Sequence, residues 1–211
     1  MKLYKCMLLS CLLAITGGAL AAAPILNKDY RLVSPPQPTE TGNKIEVIEF
    51  FYYGCSHCYD LEPYLKKWMS SAPKDVAFRR IPAVFRDDWV PLTKTFYTLE
   101  ALGELNRLHG DVFEAIHRNM PLANEQFMFD WAEQHGVDRK KFADAYNSFS
   151  VNNRVEFAKK LTKAYGVEGT PSLVVEGKYL TGSGITGSHE SAMQVLDELI
   201  AKARQERPSI R

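Results

Sequence analysis

Cysteine is scarce in this chain, with four in 211 residues, and neither sign of charge is in surplus. Lysine and arginine number 26 against 25 aspartates and glutamates, a formal net charge of +1, and no long basic block exists. That balance argues against a nucleic-acid partner, which needs a concentrated positive face. A hydrophobic share of 45% and a mean hydropathy of −0.24 fit an ordinary soluble domain. Cys6 and Cys11 fall in an N-terminal apolar stretch, so Cys55 and Cys58 are the only thiols of the remainder. One such pair cannot staple a disulfide scaffold. A four-ligand zinc ribbon would need a second pair of soft ligands, and none is present. Scarcity moves this pair from structure toward chemistry.

Met1 to Ala21 reads as a secretory signal peptide. Lys2 and Lys5 supply its positive start, apolar residues follow from Cys6 to Ala14, and Ala19-Leu20-Ala21 is a small-x-small cleavage site. Cleavage after Ala23 would set Pro24 against the scissile bond. As a retained anchor the stretch is short and ends in small residues. Leu8-Leu9-Ser10-Cys11 loosely matches a lipoprotein box, but too little apolar sequence precedes the cysteine. Losing Lys2 and Lys5 takes the formal charge from +1 to −1. The expected mature protein is exported and about 190 residues long.

Pro24 to Asn43 is mostly extended, with a short edge strand expected over Tyr30–Val33 and a stiff Ser34-Pro35-Pro36-Gln37-Pro38 linker. Ile45 to Tyr53 is β-branched and aromatic, the pattern of a buried strand. Tyr59 to Trp68 is helical, with Pro63 expected to kink it. Val76–Ile81 alternates as a strand. From Asp87 to about Tyr165 the pattern is helical: Pro91 opens one helix, and Val112, Phe113 and Ile116 mark a second. Asn124 caps a third with Phe127, Met128 and Trp131 inward, and Asp138 caps a fourth through Phe142, Tyr146 and Phe149. Ser150 caps a fifth, along Val155 and Leu161. Trp131 and the Met128 stripe read as core, not as a cofactor site. A strand hairpin follows, Ser172–Val175 and Lys178–Leu180 about a Glu176-Gly177 turn, then a helix from about Ser188 to Arg204.

Cys55-Ser56-His57-Cys58 sits where the first strong strand gives way to a helix. A Cys-x-x-Cys there is the thioredoxin-like redox arrangement. Cys55 lies at the helix start, where free N–H groups and the positive dipole end favour a thiolate. Cys58 comes one turn later, within reach of a disulfide. Two buried, inert cysteines are the bland alternative, and the helix-start position argues against it.

The chain resembles the DsbA family of periplasmic thiol oxidases. Glu49-Phe50-Phe51 ahead of Cys55-x-His57-Cys58-Tyr59, with Glu62 four further on, looks like that family's active-site block. Gly169-Thr170-Pro171-Ser172, followed by Val175-x-Gly177-Lys178-Tyr179, looks like its second signature, and Ala101-Leu102-Gly103 falls in the helical segment between them. The resemblance implies an α/β, thioredoxin-like fold, a central mixed sheet flanked by helices, with an inserted all-helical domain. Its expected layout is an extended segment over 22–43, the thioredoxin-like domain over 44–86 and 155–206, the insertion over 87–154 and a tail over 207–211. One departure stands out: the family's best-known dipeptide is Pro-His, and here it is Ser56-His57.

Under this resemblance Cys55 is the nucleophile and Cys58 the resolving thiol. Ser56 and His57 tune the Cys55 thiolate, His57 by a hydrogen bond or by its charge, against the alternative of a solvated helix-start histidine. Pro171 resembles the cis-proline that faces the sulfurs in such folds, with Thr170 offering its backbone to an extended substrate. The alternative is an ordinary trans proline. Glu49 and Glu62 are expected to modulate proton transfer at Cys58 if buried, and Arg80 to neutralise Glu49, although a solvated helix face is an equal reading of Glu62. His109, His117, His135 and His189 show no ligand spacing and read as solvated.

No cofactor beyond the redox disulfide, and no metal, is expected. The expected partners are reduced, unfolded secreted proteins and a DsbB-type membrane quinone oxidoreductase, with the protein monomeric and periplasmic. A reductase or isomerase on the same fold is the runner-up. Against it, Ala22–Asn43 is too short for the dimerisation domain of the isomerases, and Gly54 stands where reductases commonly carry Trp. A metallochaperone or thiol-dependent holdase is a further alternative, and Pro171 packed over the sulfurs would leave ligands little room. A glutathione-dependent enzyme fits least.

Overall fold

The computed structural model describes residues 23–207. The signal-peptide reading, with Cys6 and Cys11, and nearly all of the 207–211 tail lie outside those residues. Strand β2 (Ile45–Phe51) is buried along its whole length, as its β-branched and aromatic run requires. It pairs in parallel with β3 (Val76–Pro82) and antiparallel with β4 (Ser172–Val175). Strand β5 (Tyr179–Thr181) extends the sheet beside β4, and β1 (Arg31–Leu32) closes its edge, in the order β1-β5-β4-β2-β3. The hairpin turn places Glu176 and Gly177 at φ of 55° and 62°, the twist a two-residue β-turn needs. Gly177 has a second constraint: a Cβ there would meet the Gln37 carbonyl oxygen at 2.1 Å.

Helices α1 (Ser56–Ser71) and α8 (His189–Glu206) cover one face of the sheet through Leu61, Leu65, Leu196 and Leu199, packed on Ile45 and Val47. Between β3 and β4 lie a 3-10 turn (Asp87–Trp89) and helices α2 (Val90–Ala101), α3 (Leu105–His117), α4 (Glu125–Gln134), α5 (Arg139–Tyr146) and α6 (Phe149–Ala164). They share a second core with Ile48 and Phe50 on the other side of β2. The alternation along β2 thus feeds both layers. A one-turn helix, α7 (Ser183–Thr186), precedes α8. The fold is α/β and mixed-sheet, as expected.

Three local expectations are corrected. Ser148, not Ser150, caps α6, its hydroxyl accepting from the Val151 N–H at 3.2 Å. Phe149 is then the first residue of α6, placed before the helix meets the core, and it is 81% exposed. Phe127 is 55% exposed because the buried arc of α4 is centred on Met128, Phe129, Trp131 and Ala132. Pro63 lies in the interior of α1, as read from the sequence, and the helix continues to Ser71.

Candidate active site

Strand β2 delivers the chain through Tyr52-Tyr53-Gly54 to Cys55, which is the N-cap of α1. A cap residue offers a side-chain acceptor to the helix's free N–H groups. Here the acceptor is sulfur: Cys55 Sγ lies 3.4 Å from the Cys58 N–H. Both cysteines are free thiols, Cys55 half-buried and Cys58 fully buried. As a thiol, Cys55 donates to the Thr170 carbonyl oxygen at 3.2 Å.

These surroundings push the two sulfurs in opposite directions. A hydrogen bond from the Cys58 thiol is the main cause holding the Cys55 thiol down at about 5. Burial opposes it, while the Thr170 side chain and the backbone N–H groups of Cys58 and His57 assist. Burial pushes Cys58 far up, with the Cys55 thiolate and Glu49 adding to the effect. One sulfur is therefore an anion at neutral pH and the other a proton-bearing thiol.

The Thr170–Pro171 bond is cis, and the loop sits against Cys55. Thr170 and Pro171 also line a groove of about 500 Å³ whose wall includes His57, Leu180, Ile185 and Arg31. Ser56 and His57 are exposed. His57 reaches Cys55 through its backbone N–H, and among the described residues its ring makes no hydrogen bond to that sulfur.

A charged chain runs beneath the sulfurs. The β2–β3 register sets Arg80 opposite Glu49, and Arg80 Nε donates to Glu49 Oε2 at 2.9 Å. Its Nη2 donates to both oxygens of Glu62, at 3.0 and 3.2 Å. Burial pushes Glu49 up to about 8 despite Arg80. Glu62 is mostly buried, not a solvated face; burial works against its charge, but His109 and Arg80 hold it below the usual carboxylate range. Near neutral pH, then, Glu62 answers the Arg80 charge and Glu49 keeps a proton. That proton belongs on Oε1, which is buried and has no partner among the described residues.

His109 was expected to be solvated and is instead buried. Its Nε2 lies 3.4 Å from Glu62 and its Nδ1 2.9 Å from the Tyr53 hydroxyl. A carboxylate only accepts, so Nε2 carries the proton and Nδ1 accepts from Tyr53. Burial holds the ring below its ordinary pKa and holds the Tyr53 phenol well above its own, which keeps both neutral. A signal existed: Leu105, Leu108, Val112, Phe113 and Ile116 form a helical stripe, and His109 sits inside it. Replacing Tyr53 with phenylalanine leaves a buried ring nitrogen unpaired and should cost about 1–2 kcal/mol in chemical denaturation. An unchanged midpoint would mean that this bond contributes nothing.

The other histidines are also engaged. His117 Nε2 is 3.1 Å from the Tyr53 carbonyl oxygen, and its ring stacks on Tyr59. His135 stacks on Trp131. Ligand spacing, absent along the sequence, arises in space: ligand atoms of His57, Asp60 and His189 all lie within 4.8 Å of one another.

A family model for the DSBA-like thioredoxin domain matches residues 80–194, from Arg80 through the helices and past Pro171. The chain belongs to the DsbA family. The cysteine motif precedes that match but falls within the full-length relatives. The thiol:disulfide interchange protein DsbA of Burkholderia cepacia is 42% identical over 211 residues, covering 98% of this chain and 99% of the relative. Its namesake in Pseudomonas aeruginosa is 43% identical over 178 residues, covering 84% of each. The crystal structure of Pseudomonas aeruginosa DsbA superposes with a TM-score of 0.82 at 42% identity, over 86% of this chain and 95% of that one. Reduced DsbA1 from Neisseria meningitidis gives 0.77 at 29% identity, over 88% and 98%. Like the family, the protein is a thiol:disulfide oxidoreductase that works through a cysteine pair and exchanges disulfides with substrate proteins.

Proposed function

We propose that the protein runs in the oxidising direction, donating the Cys55–Cys58 disulfide to reduced, unfolded secreted proteins in the periplasm. The observation that carries this is the half-exposed Cys55 thiol held down at about 5 above a buried, proton-retaining Cys58. A substrate thiolate attacks Cys55 Sγ, the disulfide breaks, and Cys58 leaves with the electron pair. Glu49, protonated near neutral pH by burial, supplies its proton to the Cys58 sulfur. Glu62 and His109 then return a proton from solvent to Glu49, while Arg80 stays charged and holds both carboxylates in place. Glu62, Arg80 and His109 line a cleft of about 1080 Å³. A second substrate thiolate attacks the substrate sulfur of the mixed disulfide and expels the Cys55 thiolate. Two electrons have passed from substrate to protein.

In this reading the Thr170 backbone and Pro171 hold the extended substrate in the groove beside Cys55. Ser56 and His57 flank the attacking sulfur, and Glu49 and Glu62 control protonation. The helices over 87–154 act as an inserted unit, and the protein works as a monomer exported by its signal peptide. A DsbB-type membrane quinone oxidoreductase reoxidises the thiol pair. No further cofactor is required, because the disulfide itself carries the electrons.

Each unit by which the Cys55 pKa is depressed adds about 1.4 kcal/mol to the reduced form while the thiolate is populated, or about 30 mV toward the oxidant. The folded pKa is the depressed one, so this stabilisation is complete above the unfolded thiol value of 9.0 and disappears as pH falls through about 5. After discounting for solvent at a half-exposed sulfur, it is on the order of 2 kcal/mol at pH 7. The reduced protein should melt above the oxidised one at pH 7–8, with the gap shrinking toward pH 5. A disulfide form that melts higher at pH 7 counts against the proposal. The direct test is redox equilibration against glutathione, where a potential near the thioredoxin value of about −270 mV would mark a reductase.

A further inference from the structure

We propose that His57, Asp60 and His189 form a site for one divalent transition-metal ion of the zinc class, at the mouth of the substrate groove and independent of the cysteine sulfurs. His57 and Asp60 are three residues apart in the first turn of α1 and so share a helix face. His189 is the first residue of α8 and comes to them from across the fold. One ligand atom from each lies within 4.8 Å of the other two. Two imidazoles and a carboxylate are a borderline-soft set that suits zinc, nickel or copper over magnesium or calcium.

Two further observations favour an ion. His189 Nδ1 is buried and has no hydrogen-bond partner among the described residues, a position that natural structures rarely leave idle. Asp60 is not ion-paired among the described residues, although most of the acids around the fold are. Nearby, the Tyr64 hydroxyl donates to Glu190 at 2.5 Å, which keeps a second carboxylate beside His189. Tetrahedral zinc with bonds of about 2.0–2.1 Å needs donor separations near 3.4 Å. The exposed side chains of His57 and Asp60 can close the remaining gap by rotamer adjustment. The fourth position would be water, because the site draws nothing from Cys55 or Cys58.

His57 and His189 both line the groove that holds Thr170 and Pro171. An ion there would tie α1 to α8 across the groove and compete with an entering substrate segment. Acid should release it, since a protonated imidazole has no lone pair to give.

The test uses the full chain with its cysteine pair oxidised, so that free thiols cannot bind metal. Zinc is titrated against a chromogenic chelator, while the imidazole resonances are followed by NMR. The expected result is one equivalent bound, with the His57 and His189 rings shifting together, and affinity at least tenfold weaker in both His189→Ala and Asp60→Asn. Melting points measured without metal establish that the variants are folded. Failure of the parent protein to compete with the chelator overturns the proposal, as does affinity unchanged in His189→Ala or a response from rings other than these two.

Discussion

Cys55→Ser should reduce thiol exchange with a dithiol peptide to background, a loss on the order of a thousandfold or more. Cys58→Ser, given the disulfide-linked dimer of a single-cysteine peptide, should instead accumulate a stable adduct. Its Cys55 thiolate attacks that disulfide, keeps one peptide and expels the other as a thiolate. The asymmetry follows from where each sulfur lies. Cys55 is half-buried and lies against Thr170, which lines the groove, and its thiol is held at about 5, so it is both accessible to attack and a good leaving group. Cys58 is fully buried and holds its proton, so no substrate reaches it directly. Without Cys58 nothing inside the protein can attack the mixed disulfide, and mass spectrometry should find the peptide on Cys55 in stoichiometric amount. A second readout needs a variant with no donor at that position. The Cys58 thiol is the main cause of the low Cys55 pKa, so in Cys58→Ala the thiolate absorbance of Cys55 should titrate at higher pH. Exchange that survives in Cys55→Ser would refute the assignment of the nucleophile.

Arg80→Met should be the most destabilising single change around the site, and its cost should depend on pH. Arg80 bridges two acids, at 2.9 Å to Glu49 and 3.0 Å to Glu62. Removing one partner of a buried pair leaves the other's charge uncompensated. Glu49 already has a raised pKa, so its protonated form contributes stability that is complete below 4.5 and is lost as pH rises through about 8. Without Arg80 the folded pKa moves higher still, so the loss extends further into alkali. The expected penalty is near 1 kcal/mol at pH 5, from the lost hydrogen bonds, and about 3 kcal/mol at pH 9. For a protein of this size the larger figure is a fall of roughly 6–12 °C in Tm. A penalty that is flat between pH 5 and 9 would show that Glu49 does not carry the effect.

Much of this site could be read from neighbouring residues alone. A strand pattern running into Cys55-Ser56-His57-Cys58 already placed one sulfur at a helix start, because dipole and capping act over a single turn. Asn124 and Asp138 were legible as caps for the same reason. Even the Glu49–Arg80 pairing could be suspected, since both stand on strands expected to be neighbours. Phe149 shows where local reading fails. It continues the apolar spacing of Phe142 and Tyr146, yet α5 ends at Tyr146 and Ser148 caps a new helix, which turns it to solvent.

Short-range rules of spacing and capping suffice for the redox pair, the helix that activates it and the alternation of strands and helices, while the mixed sheet was what the family resemblance implied. The burial of Glu62 and His109, the proton kept on Glu49 and the meeting of His57 and Asp60 with His189 required the assembled chain. Each depends on residues 18 to 132 positions apart, brought together by sheet register and helix packing. Desolvation is a property of everything that surrounds a group, and spacing along the chain does not encode it.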